Sequence, residues 1–286
     1  MQLIKGTTKL LGVIGDPVEH SLSPVMQNAA IAHLNLDYVY LPLPVATEAL
    51  EVALRGFAAI KLVGFNVTIP HKQAIMPLLA KISPTAQMVG AVNSVWRTER
   101  GWEGTNTDVE GFIAPLQEAA RNWRQIAPVV LGNGGAARAV VVGCHQLGCV
   151  EIHVVGRNLE KLAQFKQSWQ NTALEAKVKV HSWSNLPSLI HQTQLLVNTT
   201  PIGMYPQVNQ SPLETELCAQ LPPNAIAYDL IYNPRPTLFL QQAKEQGAMI
   251  IDGSEMLVQQ GAAALRIWLD QPVPVEIMRQ ALLEQL

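Results

Sequence analysis

The sequence predicts an α/β fold made of two domains. Apolar runs of strand length alternate with helix-length segments along most of the chain, which is the pattern of parallel sheets covered by helices. The 286 residues suffice for two domains of ordinary size, and 48% hydrophobic with 15% charged residues supplies their cores. We predict one domain over residues 1–107 and another over 108–253. Residues 254–286 are expected to rejoin the first domain, because their apolar spacing indicates helices that pack on it.

In the first domain, strands and helices alternate before a hairpin. We predict strands over residues 10–15, 38–43 and 61–67, helices over 23–34, 47–57 and 70–80, and a hairpin of 91–97 with 102–104. Ser23 is placed as the N-cap of the first helix, with Pro24 as its first helical residue. A helix over residues 108–125 then connects the two domains.

A glycine-rich turn organises the second domain. The apolar run 129–131 is followed by Gly132, Asn133, Gly134 and Gly135, then by a helix over 136–147 that begins at Ala136 and by a strand over 151–155. Strand, glycine turn, helix and strand form the dinucleotide-binding unit of a Rossmann-type domain, where a pyrophosphate lies at the helix N-terminus. Further strands are predicted over 177–180, 195–198 and 225–230, with helices over 254–269 and from 274 onward.

The residues after the second strand of this unit favour NADP over NAD. An NAD-binding unit usually carries Asp or Glu there to hold the ribose 2′-hydroxyl. This chain has Gly156, Arg157 and Asn158, with Lys161 one helical turn later. A guanidinium and an ammonium suit a 2′-phosphate. The alternative is that Arg157 and Lys161 are only exposed cations at the start of a helix.

Composition limits the partners. A net charge of −2 gives no electrostatic reason to expect nucleic acid or an anionic membrane. The three cysteines form no metal-ligand spacing, and their odd number favours a reducing compartment without disulfides. The apolar run 10–15 is too short for a signal segment, and no run approaches the roughly 20 apolar residues of a membrane span. We therefore expect a cytoplasmic protein without a metal that acts on a small molecule. Composition does not give the oligomeric state, and we expect a monomer or a homodimer.

Two hydroxyls begin the list of candidate site residues. Ser21 and Ser23 lie at a strand-to-helix junction, where hydroxyls and helix-start amides can bind a carboxylate. For Ser23 alone, a simple capping role is the more common one.

Lys72 and Asp108 are the candidate proton-handling pair. Lys72 falls in the first turn of a predicted helix, where a cation is unfavourable, so it either points to water or serves chemistry. Asp108 also begins a helix, where an acid can simply complement the dipole. If the two face each other, each orients the other, and Asn93 between them offers a donor and an acceptor. His71 is expected at the surface without a role. Together these groups suit a small polyhydroxylated carboxylic acid.

The chain resembles the shikimate dehydrogenase family along essentially its whole length. The matching stretches, in the family's order, are GDPVEHSLSPVMQNAA, GFNVTIPHK, GAVNSV, GTNTD, GNGGAARA, NTTPIGM, DLIY and DGSEMLVQQGA. The resemblance implies NADPH-linked, reversible reduction of 3-dehydroshikimate to shikimate, a step towards chorismate and the aromatic amino acids. It also implies that the C-terminal helices rejoin the substrate domain.

The resemblance further implies roles for individual residues. Lys72 and Asp108 would be the catalytic pair, and Ser21 and Ser23 would hold the substrate carboxylate. The other implied contacts are Tyr232 as a third carboxylate donor, Asn66, Thr68, Asn93 and Gln260 at the ring hydroxyls, and Leu230 and Gly253 at the nicotinamide end of the cofactor.

The chain departs from the family pattern at two places. Family members often have Ala at the position of Asn133 and Asn-Arg-Thr at 156–158, which leaves the strength of the NADP preference open. The alternatives are a shikimate/quinate dehydrogenase of broader substrate or NAD use, a folate-linked dehydrogenase, and a non-catalytic sensor. A sensor would be expected to lose Lys72 or Asp108, and the folate-linked enzyme fits the paired serines less well.

Overall fold

The computed structural model describes residues 3–286, which form two compact units. The first unit runs to Gly111 and resumes over Leu257–Gln285, and the second is Phe112–Met256. The predicted return of the C-terminal helices to the N-terminal part is confirmed, because these helices pack in the first unit. The domain boundaries and the ligand-binding role given to each domain stay predictions.

The first unit is built on a mixed six-stranded sheet. Its strands are β1 (Lys9–Gly15), β2 (Tyr38–Pro44), β3 (Gly64–Val67), β4 (Lys81–Ile82), β5 (Ser94–Thr98) and β6 (Gly101–Thr105). Its helices are α1 (Ser23–His33), α2 (Leu50–Ala59), α3 (His71–Ala74), α4 (Pro84–Val89), and the parts of α5 (Asp108–Gln117) and α11 (Gly253–Leu269) that fall within the unit, with α12 (Val275–Leu283). The strand order is β2-β1-β3-β5-β6-β4. The hairpin predicted from the sequence is confirmed as the antiparallel pair β5 and β6.

Both faces of this sheet are covered. Leu11 and Val13 of β1 belong to a core cluster with Met26 and Leu265, whereas Ile14 belongs to a second cluster with Leu54. Successive side chains of a strand point to opposite faces, so the alternation in β1 places one core under α1, α11 and α12 and another under α2.

The second unit contains a fully parallel six-stranded sheet. Its strands are β7 (Val129–Leu131), β8 (Ile152–Gly156), β9 (Val178–Ser182), β10 (Leu195–Asn198), β11 (Ile226–Asp229) and β12 (Met249–Ile251). The order β12-β11-β10-β7-β8-β9 is the Rossmann order, so the predicted fold class is confirmed. The helices are α6 (Gly135–Leu147), α7 (Leu159–Gln167), α8 (Leu186–Ile190), α9 (Thr215–Cys218) and α10 (Leu238–Glu245).

Two predicted helices are shorter than the sequence pattern indicates. The helix predicted over 70–80 is the four-residue α3 followed by a 3-10 turn at Met76–Leu78, where Pro77 lacks the amide that would continue it. The helix predicted over 108–125 ends at Gln117, and Ala120 has a φ of 43°, which an α-helix excludes. The sequence analysis did not predict the short elements β4, β12, α4, α8, α9 and α10. Across residues 3–286, no helix combines the length and the apolar composition needed to cross a membrane.

Candidate active site

Lys72 and Asp108 form an ion pair in the first unit. Lys72 lies in α3, which follows β3, and Asp108 is the first residue of α5. Lys72 Nζ donates to Asp108 Oδ2 at 2.7 Å, and 31% and 17% of the two side chains are exposed. Lys72 therefore does not simply point to water, and the pair retains enough exposure to contact a bound molecule.

Asn93 fixes the carboxylate of Asp108 from the other side. Asn93 is buried, and its Nδ2 donates to Asp108 Oδ1 at 2.7 Å. Its Oδ1 accepts from the backbone amide of Thr107 at 2.7 Å, which fixes the orientation of the amide group. Each oxygen of Asp108 therefore accepts one hydrogen bond, from Lys72 and from Asn93. Asp108, held in this way, orients the side chain of Lys72.

The residues expected at ring hydroxyls differ in how free they are. The amide of Asn66 donates to Asn93 O at 3.1 Å and Ser94 Oγ at 3.0 Å, and its Oδ1 accepts from Tyr40. Gln260 of α11 belongs to the same cluster, because its Oε1 accepts from Asn93 Nδ2 at 3.5 Å. Asn66 thus has only one acceptor lone pair left for a ligand.

Thr68 is better placed to bind a ligand than Asn66. It follows directly after β3 and is partly exposed. Within the described part of the chain, its hydroxyl has no hydrogen-bond partner, so it can both donate and accept.

The paired serines lie where the sequence predicts, but Ser23 is not the N-cap. The cap position of α1 is Leu22, without a side-chain bond, and Ser23 is the first helical residue. Ser21 Oγ accepts the amide of Ser23 at 3.3 Å, so Ser21 satisfies one of the helix-start donors instead. Ser23 is buried and Ser21 is partly exposed. The two hydroxyls are adjacent at the start of α1.

The prediction that His71 lies at the surface is wrong. It is fully buried, with Nε2 2.7 Å from Val45 O, and its Nδ1 has no partner among the described residues. The α3 turn immediately after β3 directs this ring inward. Its contact ties α3, and with it the backbone of Lys72, to the segment after β2.

The glycine turn of the second unit has the geometry of a phosphate-binding loop. Gly132 has a φ of 102°, and a Cβ there would lie 2.7 Å from Thr199 Oγ1, so both conformation and space require glycine. At Gly134 and Gly135, a Cβ would meet nothing within 4 Å. The space beside these two glycines, at the start of α6, is therefore open. Helix α6 begins at Gly135, one residue before the predicted Ala136.

The polar residues after β8 differ in whether their side chains make contacts within the chain. Asn158 Oδ1 accepts the amide of Lys161 at 2.8 Å and caps α7, a role that the sequence analysis did not predict. Arg157 and Lys161 are exposed. Neither side chain has a hydrogen-bond or ion-pair partner within residues 3–286, so both cations are free to meet an anion.

Leu230 and Gly253 are brought together at the carboxyl end of β11. A Cβ on Gly253 would lie 2.1 Å from Leu230 O, so only glycine permits this close backbone contact. The amide of Gly253 donates to Ile231 O at 3.0 Å. Tyr232 follows in the same segment of the second unit, and burial raises the pKa of its hydroxyl, which is a neutral donor. Its contact with a substrate carboxylate stays a prediction.

Known proteins match this chain along its whole length. A model of the shikimate dehydrogenase substrate binding domain matches residues 13–95, and one of the shikimate 5'-dehydrogenase C-terminal domain matches residues 253–283. The shikimate dehydrogenase (NADP(+)) of Microcystis aeruginosa is 65% identical over 285 residues, which is 100% of both chains. This chain belongs to the shikimate dehydrogenase family.

Solved structures of shikimate dehydrogenases agree in fold. One in complex with NADP+ has a TM-score of 0.90 at 36% identity and covers 99% of this chain and 97% of its own. Another, from Listeria monocytogenes in complex with shikimate and NAD, has a TM-score of 0.90 at 33% identity and covers 99% of both chains. These likenesses extend over both units of the present structure.

The departure from the shikimate dehydrogenase pattern at Asn133 and Gly156 is one local arrangement. A Cβ on Gly156 would lie 3.1 Å from Asn133 Oδ1, so the side chain of Asn133 occupies the space beside the end of β8. Asn133 Nδ2 is buried and has no partner among the described residues. Glycine at 156 leaves room for the asparagine of the turn.

Asp229 is a residue of this chain that the sequence analysis did not single out. It is fully buried at the end of β11, where it accepts from Asn198 Nδ2 at 3.0 Å, Thr237 Oγ1 at 2.7 Å and the Ile231 amide at 3.1 Å. Burial raises the pKa of its carboxyl to about 6. A polar residue ending a buried strand, as in the NTTPIGM and DLIY stretches, is the sequence signal that could have identified it.

Proposed function

We propose that this chain is an NADP-dependent shikimate dehydrogenase, an oxidoreductase that interconverts 3-dehydroshikimate and shikimate. The observation that carries the proposal is the ion pair of Lys72 with Asp108, held by Asn93, in a member of the shikimate dehydrogenase family. An oriented ammonium next to a carboxylate is what proton exchange at an alcohol or ketone oxygen needs. The substrate and cofactor named for the relatives support the assignment.

In the reducing direction, Lys72 donates a proton to the ketone oxygen. Its ammonium also stabilises the negative charge that develops on that oxygen. Asp108 orients Lys72 through the 2.7 Å contact and accepts a hydrogen bond from the neighbouring hydroxyl of the substrate. In the oxidising direction, neutral Lys72 takes the hydroxyl proton of shikimate. Asn93 keeps the carboxylate of Asp108 in place in both directions of the reaction.

The polar side chains around this pair bind the substrate. The hydroxyls of Ser21 and Ser23 hold the carboxylate, because neutral donors at the start of α1 suit an anion. Thr68 and Gln260 bind the ring hydroxyls, and Asn66 accepts at most one further hydrogen bond.

The residues of the second unit fit NADP. The open space at Gly134 and Gly135 leaves the first amides of α6 accessible to a pyrophosphate. Arg157 and Lys161, whose side chains have no hydrogen-bond or ion-pair partner within residues 3–286, supply cations for a 2′-phosphate. Leu230 and Gly253 line the nicotinamide end. When bound, the reduced nicotinamide supplies the hydride. The chain's own residues hold the cofactor and move the proton.

Steady-state assays with each substrate and each cofactor test the proposal. Initial rates are followed by the near-ultraviolet absorbance of the reduced nicotinamide, with shikimate or quinate and with NADP or NAD. We expect shikimate with NADP to give the highest kcat/KM. Absence of turnover with shikimate under either cofactor would contradict the proposal.

A broader specificity is the second candidate. The Listeria monocytogenes relative binds shikimate together with NAD, and Asn158 of this chain is occupied by capping α7. Comparable kcat/KM values for NAD and NADP, or for quinate and shikimate, would favour it. Arg157 in place of an acid after β8 supports NADP.

We propose the cytoplasm as the location of this protein. The three cysteines are free and buried, which is consistent with a reducing compartment.

A further inference from the structure

Trp183 lies next to Arg157 because of the register of two parallel strands. β8 and β9 pair in parallel, with Gly156 opposite Ser182 at their carboxyl ends. Arg157 follows Gly156, and Trp183 follows Ser182, so Arg157 and Trp183 are also adjacent. Trp183 is the first residue of the 3-10 turn Trp183–Asn185.

The guanidinium of Arg157 lies over the indole ring. Arg157 Cζ is 4.9 Å from the centroid of the Trp183 ring, a cation–π distance. Contact with an aromatic face fixes the plane of a guanidinium but uses none of its five donors. Other arginines of the chain are held differently: Arg266 pairs with Glu110, and Arg235 with Asp252. Arg157 is thus restrained and still free to bind an anion in bidentate fashion.

The ring itself is anchored. Trp183 is partly buried and packs against the core cluster of the second unit, which contains Val155, Leu186 and Ile190. Ser182 Oγ donates to Asn185 Oδ1 at 2.8 Å, which closes the turn that carries the ring. The indole can therefore serve as a fixed surface for a side chain that is otherwise mobile.

We infer that Trp183 is a positioning residue for cofactor specificity, and that its ring orients the Arg157 guanidinium towards the 2′-phosphate of NADP. The inference rests on the proposed use of NADP by this chain. Without the ring, Arg157 must give up rotamer freedom on binding, so affinity for the 2′-phosphate falls. Because this ordering cost is that of one long side chain, loss of the ring weakens binding about three- to tenfold.

Two nucleotide fragments isolate the 2′-phosphate. We measure by calorimetry the dissociation constants of 2′,5′-ADP and of 5′-AMP for the wild type, Trp183→Leu, Trp183→Phe, Arg157→Gln and the double variant Trp183→Leu/Arg157→Gln. We expect Trp183→Leu to weaken the binding of 2′,5′-ADP about three- to tenfold and that of 5′-AMP less than about twofold. Trp183→Phe retains an aromatic face and should recover most of the affinity. In the Arg157→Gln background, Trp183→Leu should have no further effect.

The outcomes separate the inference from the proposed function. If the wild type binds 2′,5′-ADP no better than 5′-AMP, NADP use fails and the inference with it. If Arg157→Gln removes that preference but Trp183→Leu does not reduce it, only the positioning role is overturned. An equal loss for both fragments, or a loss that persists without Arg157, also overturns it. Should Trp183→Leu not fold, as judged by thermal unfolding, Trp183→Met replaces it, because methionine fills the core site without a ring.

Discussion

Replacement of Lys72 by alanine tests the proton-transfer role most directly. The substitution removes the ammonium that lies 2.7 Å from Asp108 Oδ2. General acid–base catalysis contributes about 10²–10⁴ in rate. Because 31% of the Lys72 side chain is exposed, water can enter the vacated space and donate a proton, though less effectively. We therefore expect kcat to fall about 10³-fold, a barrier increase of about 4 kcal/mol.

The same change affects stability much less than rate. Asp108 keeps its hydrogen bond from Asn93 and is 17% exposed, so its charge is not stranded in the core. Exposed ion pairs contribute up to about 1 kcal/mol, and breaking a fully buried one costs about 3–5 kcal/mol. For this partly buried pair we expect the free energy of unfolding to fall by about 1–2 kcal/mol.

Initial rates in both directions give kcat and KM, and thermal unfolding gives stability. Lys81→Ala, at an exposed lysine of β4, is the matched control and should keep wild-type kcat. KM for shikimate should change little in Lys72→Ala, because the loss falls on the transition state. A folded Lys72→Ala enzyme with kcat within about tenfold of wild type would refute the proton-transfer assignment.

Three further predictions concern the substrate, the cofactor and pH. Ser21→Ala removes a donor to the substrate carboxylate, so KM for shikimate should rise about tenfold with kcat nearly unchanged, whereas an unchanged KM would exclude Ser21 from that site. At Gly134 an added Cβ would meet no protein atom within 4 Å, so Gly134→Ala should leave stability within about 0.5 kcal/mol of wild type. Its methyl should nevertheless weaken NADPH binding by about 1–3 kcal/mol, measured by calorimetry. Unchanged binding would contradict a pyrophosphate at the turn. Burial lowers the pKa of both His153 and His181, whose Nδ1 and Nε2 atoms are 2.9 Å apart. As pH falls below about 6.5, the unfolded chain therefore takes up protons first, and stability is lost there. His181→Gln should therefore flatten the fall of urea-unfolding free energy below that pH, and an unchanged slope would argue against the histidine pair as its source.

Local sequence pattern predicts much of the fold, and fails where elements are short. The glycine turn, the strands around it and the long helix α11 were all predicted within a few residues, because each carries a strong periodic or turn signal. The elements β4, β12, α4, α8 and α9 have six residues or fewer, too few for a periodicity to register. Pro77 ends α3 early because it has no backbone amide to donate. The apolar pattern around Pro77 predicted a longer helix instead.

The candidate site divides in the same way. The sequence and its family resemblance supplied the candidate site residues, including Lys72, Asp108 and Arg157. They misplaced His71 at the surface, because burial of one histidine depends on where the turn after β3 directs its ring. They also did not reveal that Asn158 is a helix cap or that Asp229 organises the end of β11.

The sequence by itself determined the element types, the glycine turn and which charged groups are available, since these depend on neighbours along the chain. Only the tertiary structure decided which groups meet. Lys72 reaches Asp108 across 36 positions, and Asn93 reaches Gln260 across 167. Arg157 meets Trp183 because parallel pairing places the carboxyl ends of β8 and β9 side by side. Such contacts follow from strand order and register, which are fixed by burial of the whole sheet and not by any single segment.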